Sequence, residues 1–260
     1  MSVTIISVGN GGFNVASDII NAGIFPDNQF IVVDTDPDLL KKNAKCADKG
    51  ILLEKFGRSK VKSELTSMVD SVIEGVSDTI IVCSTLGGMT GSKYAPLIAL
   101  NAITRGKFVC SVVSIPADYE GASKIRKAQN CLHKMIVASN LVLLQHNEKL
   151  RNYDLSLIEM NKPIVDTLAS VMSIAPSISE AQMFLLASQQ SEPTVERQND
   201  LSDSMIGLYG LSLISGLSLD EAQKYVPEKY REEDKVRPLI WIKPDDYWAF
   251  SSEQRCEIFG

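Results

Sequence analysis

The first part of the chain alternates between short unbroken apolar runs and longer stretches whose apolar residues recur at helical spacing. VTIISV at 3–8 reads as a buried strand, GNGG follows at 9–12, and Asn14–Ala22 carries a helical pattern that stops at Gly23. FIVV at 30–33 is a second strand-like run; it ends in Asp34-Thr35-Asp36, after which Pro37 is placed to open a helix. Residues 61–76 have helical spacing, TIIVC at 79–83 is a strand, and a glycine loop at 87–91 leads into a helix from about Ala95 to Thr104. FVCSVVSI at 108–115 predicts another strand, 121–138 another helix, and Leu141–Leu144 a further buried strand. Apolar strands alternating with helices predict an α/β fold: a Rossmann-like, mostly parallel sheet with helices on both faces.

Beyond Asn161 the pattern changes. NKPIVDTLASVMSIA looks helical, Pro176 interrupts it, and Ser179–Ser188 resumes it; 189–203 is polar and turn-rich. The expected organisation is a nucleotide-type domain over 1–188 and a short C-terminal extension over 189–260. Within the extension lie an apolar stretch (205–217), a short helix (Ser218–Tyr225), the charged run EKYREEDK and a strand candidate, Leu239–Ile242. This tail forms either a small hairpin or an arm on the main sheet.

Composition narrows the function classes. A net charge of −6, spread along 260 residues, argues against binding nucleic acid or anionic lipid by bulk charge. No stretch approaches the roughly 18 apolar residues of a membrane span, and the chain runs from Met1-Ser2 into a strand-like run without a basic leader, so it is expected to be neither exported nor embedded. The five cysteines form no CxxC pair, which suggests neither a disulfide framework nor a zinc site and makes the reduced cytoplasm the expected location. Two histidines, His133 and His146, leave little material for triad or His-metal chemistry.

In sheets of this kind ligands sit beyond the carboxyl ends of the strands. The segments there are GNGG, DTD, TLGGMTG, PADYEG and QHNEK. Gly9, Gly11 and Gly12 lie between a strand and a helix, where the missing Cβ atoms let backbone N–H groups approach phosphate oxygens at the positive helix end. A ligand-free tight turn is the alternative, and Phe13 and Asn14 stand where GxGxxG would bring its third glycine. The second loop, Leu86–Ser92, also follows a strand and precedes a helix. Two glycine loops at one sheet edge suggest a polyphosphate, with Thr90 and Ser92 adding hydroxyls. Lys93 stands in the wrong order for a P-loop, which needs lysine directly after glycine.

These segments resemble the tubulin/FtsZ superfamily. VGNGGFN looks like the family's first loop, FIVVDTD like its strand ending in NTD, and TLGGMTGSKYAP like its GGGTGTGAAP signature. IPADYEGASKIRKA is similar to KPFxFEGxxRxxxA, and LLQHNEKL to IPNDRLL. The resemblance covers roughly residues 3–172 in matching order. It implies GTP or GDP as ligand, with Mg²⁺. It places Gly9, Asn10, Gly11, Gly12 and Asn14 of the first loop, and Gly87, Gly88, Met89, Thr90 and Gly91 of the second, around the nucleotide and chiefly its phosphates. Glu120 would contact the ribose, Lys124 would offset phosphate charge, and Asn147 would hydrogen-bond the guanine. Asp36 matches the acid of NTD and could position Mg²⁺ through water, with no direct protein ligand to the metal expected. Helix capping is the competing role for Asp34 and Asp36.

The family pattern is broken in several places. Leu168 and Met172 occupy positions where relatives stack an aromatic residue on the base and read guanine with an aspartate. Leucine can pack against the base, but methionine cannot accept guanine N–H protons, so a preference for GTP over ATP rests on Asn147. The third phosphate loop is replaced by Leu52–Lys60, whose Arg58 and Lys60 are read as surface charges, a γ-phosphate contact being the alternative. Family members hydrolyse GTP mainly in polymers, where NxDxxD of the next subunit reaches the γ-phosphate. Asp200 and Asp203 in QNDLSD match that DxxD, acting in trans, the alternative being a polar loop with an N-cap aspartate. Only 57 residues follow Asp203, so the family's second domain is expected to be missing or much reduced.

Three readings follow. The first is a GTP-binding protein that associates head to tail, a neighbouring copy completing hydrolysis. The second keeps fold and nucleotide but not turnover, leaving a regulatory or structural module whose C-terminal extension engages a partner protein. The third is an NAD-dependent oxidoreductase using GNGG and Asp34, 25 residues after Gly9, which leaves GGMTGS and EGASK unexplained. Elsewhere Cys83 and Cys110 read as strand-core residues, His133 as an exposed helix position, His146 as a loop residue and EKYREEDK as a solvated face. Trp241, Tyr247 and Trp248 form either a partner patch or a cover for the sheet edge.

Overall fold

The computed structural model describes residues 2–54, 62–139, 141–150, 159–162, 164–166, 168–169 and 239–242. Strands β1 (Val3–Val8), β2 (Asn28–Asp34), β3 (Lys49–Leu52), β4 (Thr79–Thr85), β5 (Phe108–Ile115), β6 (Leu141–His146) and β7 (Leu239–Ile242) form one sheet in the order β3-β2-β1-β4-β5-β6-β7. All neighbours from β3 to β6 are parallel, and β7 runs antiparallel to β6, with Leu141 opposite Ile242 and Leu144 opposite Leu239. The crossovers carry α1 (Gly9–Asn21), α2 (Pro37–Asn43), α3 (Lys62–Ile73), α4 (Met89–Thr104) and α5 (Ala122–Val137), and α6 (Asn147–Leu150) follows β6 directly.

The strands read as continuous apolar runs because both faces of the sheet are covered. Ile6, Ile31, Ile80, Val82 and Val113 pack on one face with Ala95, Ile98 and Met135 of α4 and α5. Ile5, Val32, Ile81, Cys83 and Val112 pack on the other with Val15, Ala16 and Ile19 of α1. Burying side chains of this size stabilises the fold by about 1.5–3 kcal/mol each. The chain order steps outward from β1 through β2 to β3, then restarts at β4 and proceeds the other way. The crevice between β1 and β4 is therefore the topological switch point, where such sheets bind ligands.

Several expectations change in detail. The helices expected from Asn14 and from about Ala95 begin inside the glycine loops, at Gly9 and Met89. Gly9 adopts φ +77°, which turns the chain from β1 into α1 without a spacer. Strand β3 was not legible: its four residues are mostly exposed, so it carries no apolar run. His146 ends β6 rather than lying in a loop. Of the two forms considered for the tail, the arm is the one found, since Leu239–Ile242 extends the main sheet. Cys83 and Cys110 are core residues with no exposure. Burial pushes the Cys110 thiol up to about 12 and Cys83 well above the ordinary thiol range. Among the described residues no helix is long and apolar enough to cross a membrane.

Candidate functional site

Both glycine loops open at the switch point, and packing against β4 explains why they are glycines. A Cβ on Gly11 would stand 2.6 Å from Cβ of Thr85, and one on Gly12 would collide with the Cys83 carbonyl. One on Gly91 would meet Ser84 Oγ at 2.5 Å and the Thr85 carbonyl at 2.6 Å. These absent side chains let α1 and α4 seat their first turns directly on the end of β4. The two loops consequently touch: a Cβ on Gly9 would lie 3.4 Å from Cβ of Thr90 and 3.6 Å from the Gly91 nitrogen. Gly87, at φ +90°, passes under the Lys124 carbonyl of α5, and its N–H donates to Ser92 Oγ at 2.6 Å, which closes the second loop.

Neither α1 nor α4 has a side-chain cap or an acidic residue in its first turn. Their leading N–H groups and positive dipole ends therefore meet no anion from their own first turns. Helix α2 contrasts with them. Asp36 Oδ1 accepts from the N–H groups of Asp38 (3.0 Å) and Leu39 (3.3 Å), the N-cap role weighed for this residue.

Asp34, at the end of β2, is 3% exposed and holds the second loop in place. Its Oδ1 accepts from the N–H of Thr35 at 2.6 Å, the N–H of Asp36 at 3.1 Å and the hydroxyl of Thr90 at 3.3 Å. The Thr35 and Thr90 hydroxyls are 2.7 Å apart. With the Thr90 proton directed to Asp34, Thr35 is the donor of that pair, giving a relay Thr35 to Thr90 to Asp34. Asn10, exposed on α1, accepts from Asn43 Nδ2 at 3.2 Å; Asn14, one turn further along α1, and Met89, the first residue of α4, are also exposed, Met89 at 77%.

The remaining expected contacts cluster beyond β5 and β6. Glu120 Oε1 accepts from the Ala117 N–H at 3.1 Å, and its Oε2 accepts from Lys124 Nζ at 3.4 Å, so carboxylate and cation are already paired beside Gly87. The Asp118 N–H donates to Glu148 Oε2 at 2.9 Å, joining the turn before α5 to α6. Asn147 Oδ1 accepts from Gln145 Nε2 at 3.3 Å. Leu168 lies in the core layer with Val15, Ala16 and Ile19, without exposure, and Asn161 Nδ2 ties the same segment to Asp18 Oδ2 of α1 at 2.9 Å. Met172, Asp200, Asp203, Arg58, Lys60, Tyr247 and Trp248 lie outside the described residues.

The structure thus brings Gly9, Asn10, Gly11, Gly12, Gly87, Gly88, Met89, Thr90 and Gly91 to one crevice, with Asn14 a turn further along α1, Glu120 and Lys124 on the β5 side and Asn147 at the end of β6. Sequence reading missed the work of Asp34 as anchor of Thr90, because its partner is 56 positions away. It also missed Gln145, whose only signal was a polar residue ending an apolar run. Among the described residues no group of three or more His, Cys, Asp or Glu is placed to hold a metal by itself.

The strand order alone is shared with dinucleotide-binding folds, so comparison with known proteins separates the alternatives. The Tubulin/FtsZ family, GTPase domain, matches residues 2–154. The cell division protein FtsZ of Helicobacter pylori is 28% identical over 185 residues, covering 66% of this chain and 48% of that protein. Among solved structures, an FtsZ dimer of M. jannaschii, described as empty, aligns with a TM-score of 0.55 at 22% identity, over 66% of this chain and 55% of that one. CetZ2 of Haloferax volcanii, solved as a GTPγS-bound protofilament, aligns with a TM-score of 0.53 at 22% identity, over 67% and 57%. The chain therefore spans about half the length of the relatives it matches. The family match runs through both glycine loops, Glu120 and Asn147: this chain belongs to the tubulin/FtsZ family and contains its GTPase domain.

Proposed function

We propose that the chain binds GTP and GDP in the crevice between β1 and β4, and that a second copy, docking head to tail, completes a hydrolytic site. The observation that carries this reading is the meeting of two uncapped helix N-termini, at Gly9 and Met89, over the anchored Thr90. Two such ends supply several N–H donors and two positive dipole ends, which suits a polyphosphate better than a single phosphate. Gly88 borders open space on its Cβ side, the nearest atom being the Thr85 carbonyl at 3.9 Å, so the backbone there can be approached closely.

In this proposal Gly9, Asn10, Gly11 and Gly12 hold one side of the phosphates, and Gly87, Gly88, Met89, Thr90 and Gly91 the other. Asn14 stands a turn further along α1. Glu120 accepts from the ribose hydroxyls, Lys124 offsets phosphate charge and Asn147 hydrogen-bonds the base. Met172 supplies the apolar backing below it, whereas Leu168, expected against the base, has no exposed surface and packs in the core layer on α1 instead. Mg²⁺ would be held chiefly by the phosphates and water, with Asp36 reaching it through water, and would neutralise charge on the phosphoryl group. Asp200 and Asp203 of the neighbouring copy polarise the attacking water. Head-to-tail contacts build open filaments when the rotation between copies does not close a ring. The cytoplasm is the proposed location, and the 189–260 extension the proposed seat of any partner protein.

A second reading is nucleotide binding without turnover. One experiment separates the two: the purified chain with GTP, ATP or NAD, each with Mg²⁺, followed by light scattering and phosphate release across protein concentrations. Assembly-dependent hydrolysis gives GTP-dependent scattering and phosphate release rising faster than linearly with protein. GTP binding with neither signal supports the non-hydrolysing module, and binding of NAD alone overturns both.

A further inference from the structure

On the face of the sheet that packs α1, Leu141 and Leu143 of β6 belong to the apolar layer, and strand alternation puts Gln145 next on that face. The register pairs Thr85 with Ser114 and Ser114 with Gln145, so a polar row crosses β4, β5 and β6 at the carboxyl edge of an otherwise apolar layer. Ser114 Oγ donates to Thr85 Oγ1 at 3.2 Å. Gln145 is 2% exposed, and its Nε2 donates upward to Asn147 Oδ1 at 3.3 Å. Its own Oε1 is buried without a hydrogen-bond partner. An apolar side chain would fill this place without stranding an acceptor. What the glutamine supplies is a hydrogen-bond partner for the Asn147 amide from beneath the crevice.

We propose that Gln145 is a positioning residue that sets the purine preference of the site by holding Asn147 with its Nδ2 outward. This rests on the GTP reading of the crevice. With Oδ1 engaged from below, Asn147 presents N–H donors to the base. Guanine offers a 6-oxo acceptor where adenine carries its N6 amino donor, so the fixed amide accepts one and rejects the other. The acceptor that Met172 cannot provide is thereby replaced by discrimination at the opposite group of the purine ring.

The test uses the full chain and competition binding of GTP, ATP, ITP and 2-aminopurine riboside triphosphate. The wild type is expected to bind ITP, which keeps the 6-oxo group, nearly as well as GTP, and to bind 2-aminopurine riboside triphosphate as weakly as ATP. Gln145→Met is expected to lower the GTP-to-ATP affinity ratio about three- to tenfold, the scale of one hydrogen bond. Introduced together with Asn147→Ala, the same substitution should leave the ratio where Asn147→Ala alone puts it. An unchanged ratio in Gln145→Met and Gln145→Leu, an equal loss of all nucleotides, or a ratio change that persists without Asn147 overturns the proposal. ITP binding as weakly as ATP overturns it in the wild type, where no variant has to fold. A wild type that binds no guanine nucleotide overturns the GTP reading and this inference with it, whereas a selective wild type with unresponsive variants overturns this inference alone.

Discussion

The hydroxyl of Thr90, at the start of α4, donates to Oδ1 of Asp34, at the end of β2, across 3.3 Å and 56 positions of chain. This bond spans the switch point and fixes the second glycine loop against a strand it does not follow. Thr90→Val keeps the shape and removes the bond, together with the contact to Thr35. GTP affinity should fall about tenfold, and because the bond to the buried Asp34 carboxylate already exists in the nucleotide-free fold, the melting temperature should fall as well, bonds to charged groups contributing about 1.5–3 kcal/mol. Calorimetric titration and a thermal melt check both. Unchanged affinity would mean that the loop needs no anchor.

The glycines of the two loops should separate by function. Gly12→Ala drives a methyl group into the Cys83 carbonyl and should destabilise the fold by about 1–3 kcal/mol, as overpacking does. Gly88→Ala meets only the Thr85 carbonyl at 3.9 Å and should stay within about 0.5 kcal/mol of wild type. It should nonetheless weaken nucleotide binding, because the methyl group enters the open side of the crevice. Urea unfolding beside a binding titration decides both.

Asp36 carries two proposed duties that one pair of variants resolves. Asp36→Ala removes the cap of α2 and should cost about 1 kcal/mol of stability. Asp36→Ser can cap α2 again and should recover most of it. If the carboxylate also reaches Mg²⁺ through water, the Mg²⁺ concentration needed for half-maximal GTP binding rises in both variants. A Mg²⁺ requirement identical to wild type in the serine variant would leave Asp36 as a cap alone.

Asp200→Ala and Asp203→Ala should lower phosphate release about a hundredfold or more, in the range of lost general-base assistance, without weakening GTP binding. Mixing either variant with a copy that cannot bind nucleotide distinguishes action in trans. Nucleotide held by the copy lacking the carboxylate then meets the intact carboxylate of its neighbour, so two preparations that are each inactive regain rate on mixing. A variant that releases phosphate at the wild-type rate would remove that aspartate from catalysis.

Alkaline pH should destabilise the fold through its buried acids. Burial raises Cys110 to about 12 and Cys131 to about 11, and Cys83 rises well above the ordinary thiol value of 9.0. Tyr94 is raised to about 12, by burial and by the nearby Glu54 charge, and its hydroxyl donates to the Glu54 carbonyl at 2.7 Å. The folded state keeps these protons where the unfolded chain releases them. Stability is therefore intact below about pH 9 and falls as pH rises toward 12, which melting curves between pH 7 and 11 will show. At neutral pH a thiol reagent should modify exposed Cys46 and leave Cys83, Cys110 and Cys131 untouched until the chain unfolds.

Much of the architecture is legible in the sequence because strands covered on both faces must be apolar throughout. FVCSVVSI marks β5 to the residue for that reason. β3 escaped because an edge strand with exposed residues has no such requirement. The glycine loops were visible, but not that Gly11, Gly12 and Gly91 serve the approach of helices to β4, since the atoms they avoid belong to residues far along the chain.

The alternation of strand and helix, the places where phosphate-binding backbone could occur, and Asp34 and Asp36 as candidate caps for α2 were all legible in the chain, because each follows from local pattern and from the conformational range of single residues. Which loops meet, and which aspartate caps α2, depends on the folded sheet. Parallel strands join through long crossovers, so the residues brought to the ends of β1, β2 and β4 come from separated segments. The pairing of Asp34 with Thr90, and of Gln145 with the polar row on β4 and β5, follows from sheet order and register, which no local stretch of the chain encodes.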